Sequence, residues 1–236
     1  MTYKKPVKSM EHKKAIILLS GGIDSATTAA IAIGEGYSLT AITFSYGQKH
    51  AVEIRAAGRL ARSFRIPPPL VIEIPTGVFR SALTDASIAV PKNRGSLEGI
   101  PDTYVPARNI LFLSYALACA ESAGARHIFI GATAVDYSGY PDCRPEFFRA
   151  FQEMANRGTK AGVGGDPFTI VTPVIGMSKA EIIRKGASLG VDYSLTHSCY
   201  DPSHDGLACG SCDSCLIRKK GFRDAGVPDP TRYRTA

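Results

Sequence analysis

The hexapeptide SGGIDS at residues 20–25 constrains the fold most, because of the segments on either side of it. Residues 15–19 are all apolar and predict a buried strand, and residues 26–34 predict a helix rich in alanine and isoleucine. Gly21 and Gly22 allow backbone N–H groups to converge on an anion, and the start of the helix adds unpaired N–H groups and a positive dipole end. Strand, loop and helix together predict a phosphate cradle.

The rest of the chain repeats this alternation of apolar runs and helical patterns. Strands are predicted at 15–19, 39–44, 70–74, 127–131 and 169–174, and helices at 26–34, 50–64, 109–123, 146–157 and 179–189. The order predicts an α/β fold, a five-stranded parallel sheet with helices on both faces. Ligands then bind beyond the carboxyl ends of the strands, so the long loops 75–106 and 133–145 are predicted to be functional lids.

Composition limits the classes of protein. The 236 residues carry a net charge of +7, and the basic residues are scattered except for Arg218, Lys219, Lys220 and Arg223. This balance suits a protein that binds anionic small molecules, with nucleic-acid binding as the less favoured interpretation. No run is long enough to cross a bilayer, and residues 1–12 lack the apolar core of a secretion signal. We therefore expect a flexible tail at 1–12, no membrane partner and a cytoplasmic location.

Four of the six cysteines lie within 17 residues, at Cys199, Cys209, Cys212 and Cys215. In a chain without an export signal, this density indicates a metal site rather than disulfides. Four thiolates suit tetrahedral Zn²⁺ and leave no position open for water, so the zinc is predicted to be structural. A [4Fe–4S] cluster is the alternative. The chain is therefore predicted to divide into a phosphate-binding domain at 13–194, and a four-cysteine segment and tail at 195–236.

The motifs also resemble known families. The pattern Ser-Gly-Gly-x-Asp-Ser is similar to the PP-loop of the ATP pyrophosphatase superfamily. Further motifs are YVPARN at 104–109, DYSGYPDCR at 136–144, SKAEI at 178–182, and the cysteine-rich SCY and CGSCDSC at 198–200 and 209–215. Together, from about residue 14 to 222, they resemble the 7-cyano-7-deazaguanine synthase (QueC) family.

The resemblance implies a Rossmann-like fold of the HUP (adenine nucleotide alpha hydrolase-like) type and a carbon–nitrogen ligase. Such an enzyme converts 7-carboxy-7-deazaguanine and ammonia to the 7-cyano product preQ0, a precursor of queuosine or archaeosine. Each of two ATP molecules adenylates an oxygen, first of the acid and then of the amide, and leaves as AMP and pyrophosphate. The resemblance also implies a structural zinc and a homodimer. Because no glutaminase segment is visible in the sequence, we expect free ammonia to supply the nitrogen.

Roles can be assigned to individual residues. Asp24 repels phosphate by itself, so a bridging Mg²⁺ is predicted there. Lys179 and Arg108 are expected to neutralise phosphate or carboxylate charge during catalysis; alternatively, Lys179 is a solvated lysine and Arg108 pairs with Asp102 or Glu121. The predicted ATP-binding residues are Leu18, Leu19, Ser20, Gly21, Gly22, Ile23, Asp24, Ser25, Ala26, Thr27 and Thr28.

The deazaguanine ring offers N–H donors that a carboxylate accepts, and aromatic rings stack on it. The candidate substrate residues are Asp136, Tyr137, Asp142, Arg144 and Glu146. Cys143 is expected to pack rather than to act as a nucleophile, since no activating base is apparent.

Three other functions fit parts of the sequence. The first is a PP-loop amide synthase that stops at 7-amido-7-deazaguanine. The second is a PP-loop tRNA thiolase or lysidine-type tRNA modifier, although no tRNA-binding domain or spare cysteine pair is evident. The third is an RNA-binding zinc protein with residues 218–223 as its contact surface, for which steep salt dependence is the diagnostic. Direct nucleic-acid binding leaves the loop at 136–146 unexplained and is not favoured.

Overall fold

The computed structural model describes residues 13–48, 52–75, 77–85, 87–93, 99–134 and 140–235. The strands are β1 Lys13–Leu18, β2 Tyr37–Ser45, β3 Leu70–Glu73, β4 His127–Ile130 and β5 Thr169–Val171. The helices are α1 Ile23–Gly34, α2 Val52–Ser63, α3 Arg108–Ala123, α4 Pro145–Gly158, α5 Lys160–Val163, α6 Lys179–Ser188 and α7 Asp213–Ala225. None of these helices is long and apolar enough to span a membrane.

The five strands form one parallel sheet in the order β3-β2-β1-β4-β5. The central strand β1 pairs with β2 on one side and with β4 on the other, so that Ile17 stands between Ala41 and Phe129. The chain runs outward from β1 in both directions, which makes the β1–β4 boundary the point where strand order reverses. Open α/β sheets of this Rossmann-like kind bind ligands at that point.

Alternate residues of β1 enter two different cores. Ala15 and Ile17 face one side of the sheet and pack with apolar residues of α1, α2, α6 and α7. Ile16 and Leu18 face the other side and pack with residues of α3 and α4. Burial on both faces explains why the strand reads as a continuous apolar run. The predicted α/β class with helices on both faces is confirmed.

Helix α7 was not predicted from the sequence. It begins after Cys212 and ends at Gly226, whose φ of +71° is a left-handed helix stop. Its buried positions are spaced as a helix requires, but they include Cys215, Arg218 and Gly221, which are not the apolar residues that reveal periodicity. The sequence analysis places this stretch in the four-cysteine segment and tail at 195–236 and predicts no helix there.

Candidate active site

The loop at residues 20–25 connects β1 to α1 and lies against the backbone of α2. Gly21 has φ +88°, and a Cβ atom there would stand 2.5 Å from the Glu53 carbonyl oxygen and 3.0 Å from the Ala57 nitrogen. Both obstacles are backbone atoms, which side-chain movement cannot relieve. Gly22 then serves as the N-cap of α1 without a side-chain cap. The first N–H groups of the helix are thus left for a ligand.

A second glycine brings the neighbouring strand against this loop. Gly131 follows β4, and a Cβ atom on it would lie 2.7 Å from the Asp24 carbonyl carbon and the Ser25 nitrogen. Only a residue without a side chain fits so close to the first turn of α1. The contact closes the boundary between β1 and β4 directly beneath the loop. Sequence analysis did not identify Gly131 as a site residue, because no local pattern indicates its contact with the first turn of α1.

The two serines of the loop are hydrogen bonded to each other. The Ser20 hydroxyl donates to Ser25 Oγ at 3.1 Å, and the Ser25 hydroxyl donates to the Gly22 carbonyl at 3.1 Å. Ser20 is exposed and Ser25 is buried. The chain of bonds fixes the hydroxyls at the base of the loop, from which Ser20 can turn toward a bound anion.

Lys179 and Asp24 form a close ion pair across the mouth of the loop. The Lys179 ammonium lies 2.5 and 2.7 Å from the two carboxylate oxygens, with the lysine side chain 13% exposed and the aspartate 23%. Lys179 begins α6, which is held by a capping box between Ser178 and Glu181. The alternative of a solvated lysine is therefore wrong. A short, half-buried pair of this kind orients both groups at the cavity.

Two adjoining cavities meet at the loop. The inner cavity, of about 200 Å³, lies between the loop and the aromatic side chains of Phe44 and Phe112, which stack with ring centroids 3.8 Å apart. Its lining residues are Leu18, Leu19, Ser20, Ser25, Ile42, Thr43, Phe44, Tyr46, Glu53, Leu83, Arg108, Asn109, Phe112, Ile130, Gly131, Ala132, Cys143 and Tyr200. Its walls are mostly apolar, with charged groups at one end, as suits a planar heterocycle that carries an anionic group.

The outer cavity, of about 240 Å³, is richer in charge. Its residues are Ser20, Gly22, Ile23, Asp24, Ser25, Glu53, Arg108, Gly131, Ala132, Thr133, Tyr140, Cys143, Lys179, His197, Ser198, Tyr200, Asp213, Ser214, Ile217 and Arg218. The starts of both α1 and α7 line it, together with Lys179. Two helix N-termini and a lysine make this cavity suited to phosphate groups.

Arg108 and Glu53 line both cavities. Burial disfavours the charged guanidinium, but the neighbouring Tyr46, Tyr140 and Asp142 outweigh it and raise the pKa of Arg108. Burial also raises the pKa of Glu53 to about 7, and Arg108 opposes this only in part. In the part of the chain that the structure describes, Arg108 makes no ion pair with Asp102 or Glu121. The arginine is a buried cation at the junction of two cavities.

His197 joins the four-cysteine segment to the loop. Its backbone N–H donates to the Gly21 carbonyl at 2.9 Å, and its side chain is 8% exposed. Burial lowers the pKa of His197 to about 4, so the ring is neutral at physiological pH. Its Nε2 is buried and has no hydrogen-bond partner among the described residues. A buried imidazole nitrogen of this kind calls for an explanation.

The four cysteines are clustered as predicted. The sulfurs of Cys199, Cys209, Cys212 and Cys215 all lie within 4.8 Å of one another, and those of Cys209 and Cys215 are 4.0 Å apart. Backbone N–H groups of Cys209 and Asp201 point at the Cys199 sulfur at 3.1 and 3.3 Å. N–H donors aimed at sulfur stabilise thiolates, the form that binds metal. The donor set and its spacing fit a single metal ion.

The similarity of this chain to known proteins decides its family. The family model described as "Queuosine biosynthesis protein QueC" matches residues 14–226. The chain belongs to the QueC family. A 7-cyano-7-deazaguanine synthase of Ectopseudomonas mendocina (strain ymp) is 59% identical over 225 residues, 95% of this chain and 100% of that protein. Another, of Desulfatibacillum aliphaticivorans, is 55% identical over 96% of this chain and 99% of that protein.

Among solved structures, a 4-thiouridine synthetase–RNA complex with bound ATP aligns with a TM-score of 0.48 and 19% identity. The alignment covers 94% of this chain and 47% of that chain. A likeness at this level supports no inference about fold or ligands.

The predicted site residues of this QueC-family chain fall into three groups. Leu18 and Leu19 line the inner cavity; Gly22, Ile23, Asp24 and Lys179 line the outer one; and Ser20, Ser25 and Arg108 line both. Gly21 lines neither cavity, and its close approach to the backbone of α2 fixes the shape of the loop. Ala26, Thr27 and Thr28 are buried inside α1 and reach neither cavity. The Thr27 hydroxyl instead bonds Tyr193 Oη at 2.8 Å.

The structure brings few of the predicted substrate residues to the cavities. Asp136 and Tyr137 lie outside the described residues. Asp142 is buried and accepts a hydrogen bond from the Asn109 backbone at 3.0 Å, so it fixes the start of α3 rather than facing a cavity. Arg144 and Glu146, at the beginning of α4, are exposed and line neither cavity. Sequence analysis missed Glu53, Tyr46 and Tyr200, which do line them.

Cys143 and the basic cluster answer two open questions. Cys143 lines both cavities, but burial raises the pKa of its thiol to about 11, which favours the predicted packing role over that of a nucleophile. Arg218 is 2% exposed, pairs with Asp229 at 3.0 Å and donates to Thr196 Oγ1 at 2.8 Å. Arg218 therefore holds the C-terminal segment together and is not part of a surface for RNA.

Proposed function

We propose that this chain is a 7-cyano-7-deazaguanine synthase, an ATP-dependent ligase that converts 7-carboxy-7-deazaguanine and ammonia to preQ0. The observation that carries the proposal is the near full-length similarity to proteins of that name, at 55–59% identity. The cavities agree with it, because an apolar slot for a ring adjoins a charged space for phosphates. The product is a precursor in queuosine biosynthesis.

The chemistry requires that a poor electrophile be activated twice. An oxygen of the substrate carboxylate attacks the α-phosphorus of ATP, and the bond to pyrophosphate breaks. Ammonia then adds to the adenylated carbon, the C–O bond breaks with its electron pair leaving on AMP, and one nitrogen proton is released. Adenylation of the resulting amide oxygen and loss of AMP with two nitrogen protons give the nitrile. The balance is two ATP to two AMP and two pyrophosphates.

The loop residues and Lys179 would stabilise the charge that develops in each adenylation. The N–H groups at the start of α1 face the phosphates, and Lys179 adds a cation at the mouth of the outer cavity. Arg108, at the junction of the cavities, is placed where the substrate carboxylate and the α-phosphate must meet. A guanidinium there opposes their mutual repulsion.

Mg²⁺ is the cation that ATP brings. Asp24 fits it, because its carboxylate lines the outer cavity beside the start of α1 and a magnesium site commonly combines one or two carboxylates with phosphate oxygens. When bound, the ion neutralises the pyrophosphate leaving group. Lys179 would hold the Asp24 carboxylate in position until the nucleotide arrives.

Zn²⁺ is the proposed occupant of the cysteine cluster. A tetrahedron with metal–sulfur bonds of about 2.3 Å has sulfurs roughly 3.8 Å apart, close to the 4.0 Å between Cys209 and Cys215. A [4Fe–4S] cluster would hold the cysteines farther apart, because four irons stand between them. Four sulfur ligands leave no open position, so the zinc would be structural.

Several further expectations belong to the proposal. Free ammonia is the nitrogen source, and the enzyme is a cytoplasmic homodimer. The described residues divide into a catalytic part at 13–194 and a metal-binding part from 195 onward, although His197 and Ser214 of the second part line the outer cavity of the first. Light scattering of the purified protein tests the dimer.

The first experiment is mass spectrometry of the products. The purified chain is incubated with 7-carboxy-7-deazaguanine, ammonium, ATP and Mg²⁺, beside an Asp24→Asn variant of equal size. We expect the nitrile, AMP and pyrophosphate from the wild type and none from the variant. The amide alone would identify a one-step amide synthase. No conversion by folded, zinc-loaded protein would reject the substrate, and replacing ammonium with glutamine tests the nitrogen source.

A further inference from the structure

A third cavity, much smaller, lies against the two already described. Its volume is about 30 Å³, which admits only one or two molecules the size of water. It shares Glu53 and Tyr200 with both larger cavities, Tyr46 with the inner one and His197 with the outer one. Whatever occupies this small cavity therefore stands beside the space where adenylated substrate would form.

Two of the side chains that line the small cavity, Glu53 and His197, offer hydrogen-bond acceptors, and Cys199 of the four-cysteine cluster lines it as well. Glu53 contributes a carboxylate. His197 contributes Nε2, which has no hydrogen-bond partner among the described residues. The hydrogen bond of its ring with the Cys199 backbone therefore involves the other ring nitrogen. Gln48 closes the wall: its side chain accepts from the Tyr46 N–H at 2.7 Å and donates to the Phe44 carbonyl at 2.9 Å. The amide is thus committed to the wall, while the carboxylate and the imidazole remain for an occupant.

The occupant that matches is a small donor with no acceptor of its own, and the ammonium ion has that chemistry. It is close to water in size, carries four N–H donors and is attracted to a carboxylate. This inference rests on the proposed function, which requires a nitrogen nucleophile next to the adenylate. Glu53 and His197 also line the outer cavity, so an ion held between them faces the space proposed for the adenylate.

We infer that the small cavity, formed by Tyr46, Glu53, His197 and Tyr200, is the site where ammonium binds and is converted to ammonia. The Glu53 carboxylate accepts one proton from the ion, and the nitrogen keeps the electron pair that attacks the adenylated carbon. Glu53 returns its proton to solvent after AMP has left. His197 holds the nitrogen through a second hydrogen bond and does not change its own protonation.

Burial supports Glu53 in this role. A carboxyl whose pKa is about 7 is a stronger proton acceptor than an ordinary glutamate. The difference between its pKa and that of ammonium is therefore smaller. The charge of Arg108 lowers the pKa of Glu53 in part. The Tyr46 phenol interacts with both Glu53 and Arg108. An ammonium ion in the small cavity would stabilise the carboxylate further.

The test compares Glu53→Gln with a matched control, Glu73→Gln, whose side chain is exposed at the end of β3 and lines none of these three cavities. We expect Glu53→Gln to raise the KM for ammonium by about tenfold or more, and the KM values for ATP and the acid by less than about twofold. An unchanged KM for ammonium would overturn the inference. So would a rise confined to the KM for the acid, since Glu53 would then read the substrate.

A partial reaction separates this inference from the proposed function. Acid-dependent exchange of labelled pyrophosphate into ATP, without ammonium, reports the first adenylation alone. No exchange by the wild type would refute the proposed function itself. Exchange retained by Glu53→Gln, together with its raised KM for ammonium, is the expected result. Exchange lost in that variant would assign Glu53 to adenylation instead.

Discussion

Two helix starts face the same cavity, yet they are held there by different means. Helix α1 begins at Ile23 directly after the central strand, so the sheet fixes its position. Helix α7 begins at Asp213, directly after Cys212, inside the cysteine cluster. Neither has a side-chain N-cap within the described residues, and each carries an aspartate in its first turn. One helix start is therefore positioned by the paired strands and the other by the cysteine cluster.

The cysteine cluster is therefore more than an appendage. Because Ser214 and His197 line the outer cavity, disruption of the cluster would alter that cavity without touching the sheet. Loss of the loop geometry would instead disable α1 while leaving the cysteines intact.

The largest effect is expected from Gly21→Ala. Alanine at this position would have to adopt φ +88°, and its Cβ atom would stand 2.5 Å from the Glu53 carbonyl oxygen. The loop must therefore move away from α2. We expect product formation to fall by about 1000-fold, because the N–H groups of α1 no longer face the phosphates. Steady-state assays measure it. Gly36→Ala is the control: it has a similar φ of +84° with no atom within 4 Å, so it should lose stability but keep activity.

Breaking the other helix start should have a smaller effect. Cys212→Ser removes a metal ligand and the N-cap of α7, so zinc content should fall and activity should drop by about 100-fold as the outer cavity loses one wall. Circular dichroism should show the sheet retained. Cys119→Ser, on α3 and away from the cluster, should keep full zinc content. Normal activity in zinc-free Cys212→Ser would show that α7 is not needed.

The two sides are joined where α6 packs on α7. A Cβ atom at Gly221 would stand 2.5 Å from Lys179 Cγ and 3.1 Å from Ile183 Cδ1. Gly221→Ala should therefore push the lysine stem away from Asp24 and lower kcat by about tenfold with zinc content unchanged. Gly58→Ala, at a helical position of α2 with room for a methyl group, should leave kcat as it is. An unaltered kcat in Gly221→Ala would mean that the lysine adapts.

The smallest effect concerns stability and pH. Burial raises the pKa of Glu53 from 4.5 to about 7, so between those values the folded protein keeps a proton that the unfolded chain releases. Stability from this group is therefore lost as the pH rises from 4.5 to 7, and the loss is complete above 7. Glu53→Gln should exceed the wild type by roughly 1–3 kcal/mol above pH 7 and match it near pH 4.5. Thermal unfolding of both proteins across this pH range, without ammonium, measures the difference in stability. A difference that stayed constant with pH would contradict the prediction.

The local features of the site were predictable because the chemistry lies in consecutive residues. The strand before residue 20, the glycines and the cysteine spacing all act over a few positions. Glu53 was missed because a glutamate in the first turn of an amphipathic helix looks like a solvated residue. Burial of the side chain raises its pKa, and the charge that opposes this, Arg108, lies 55 residues further along the chain. Arg218, which belongs to the RNA-binding surface that the sequence analysis did not favour, is likewise held by partners distant in the chain, Thr196 and Asp229.

The class of fold, the family and the clustering of the four cysteines follow from the sequence alone, since each depends on short-range pattern or motif identity. Which side chains share a cavity follows only from the three-dimensional packing. Gly131 beneath the loop, Lys179 on Asp24, and Glu53 beside His197 are juxtapositions between elements far apart in the chain. They exist because parallel strands gather their carboxyl ends at one edge of the sheet, and no local pattern records which residues meet there.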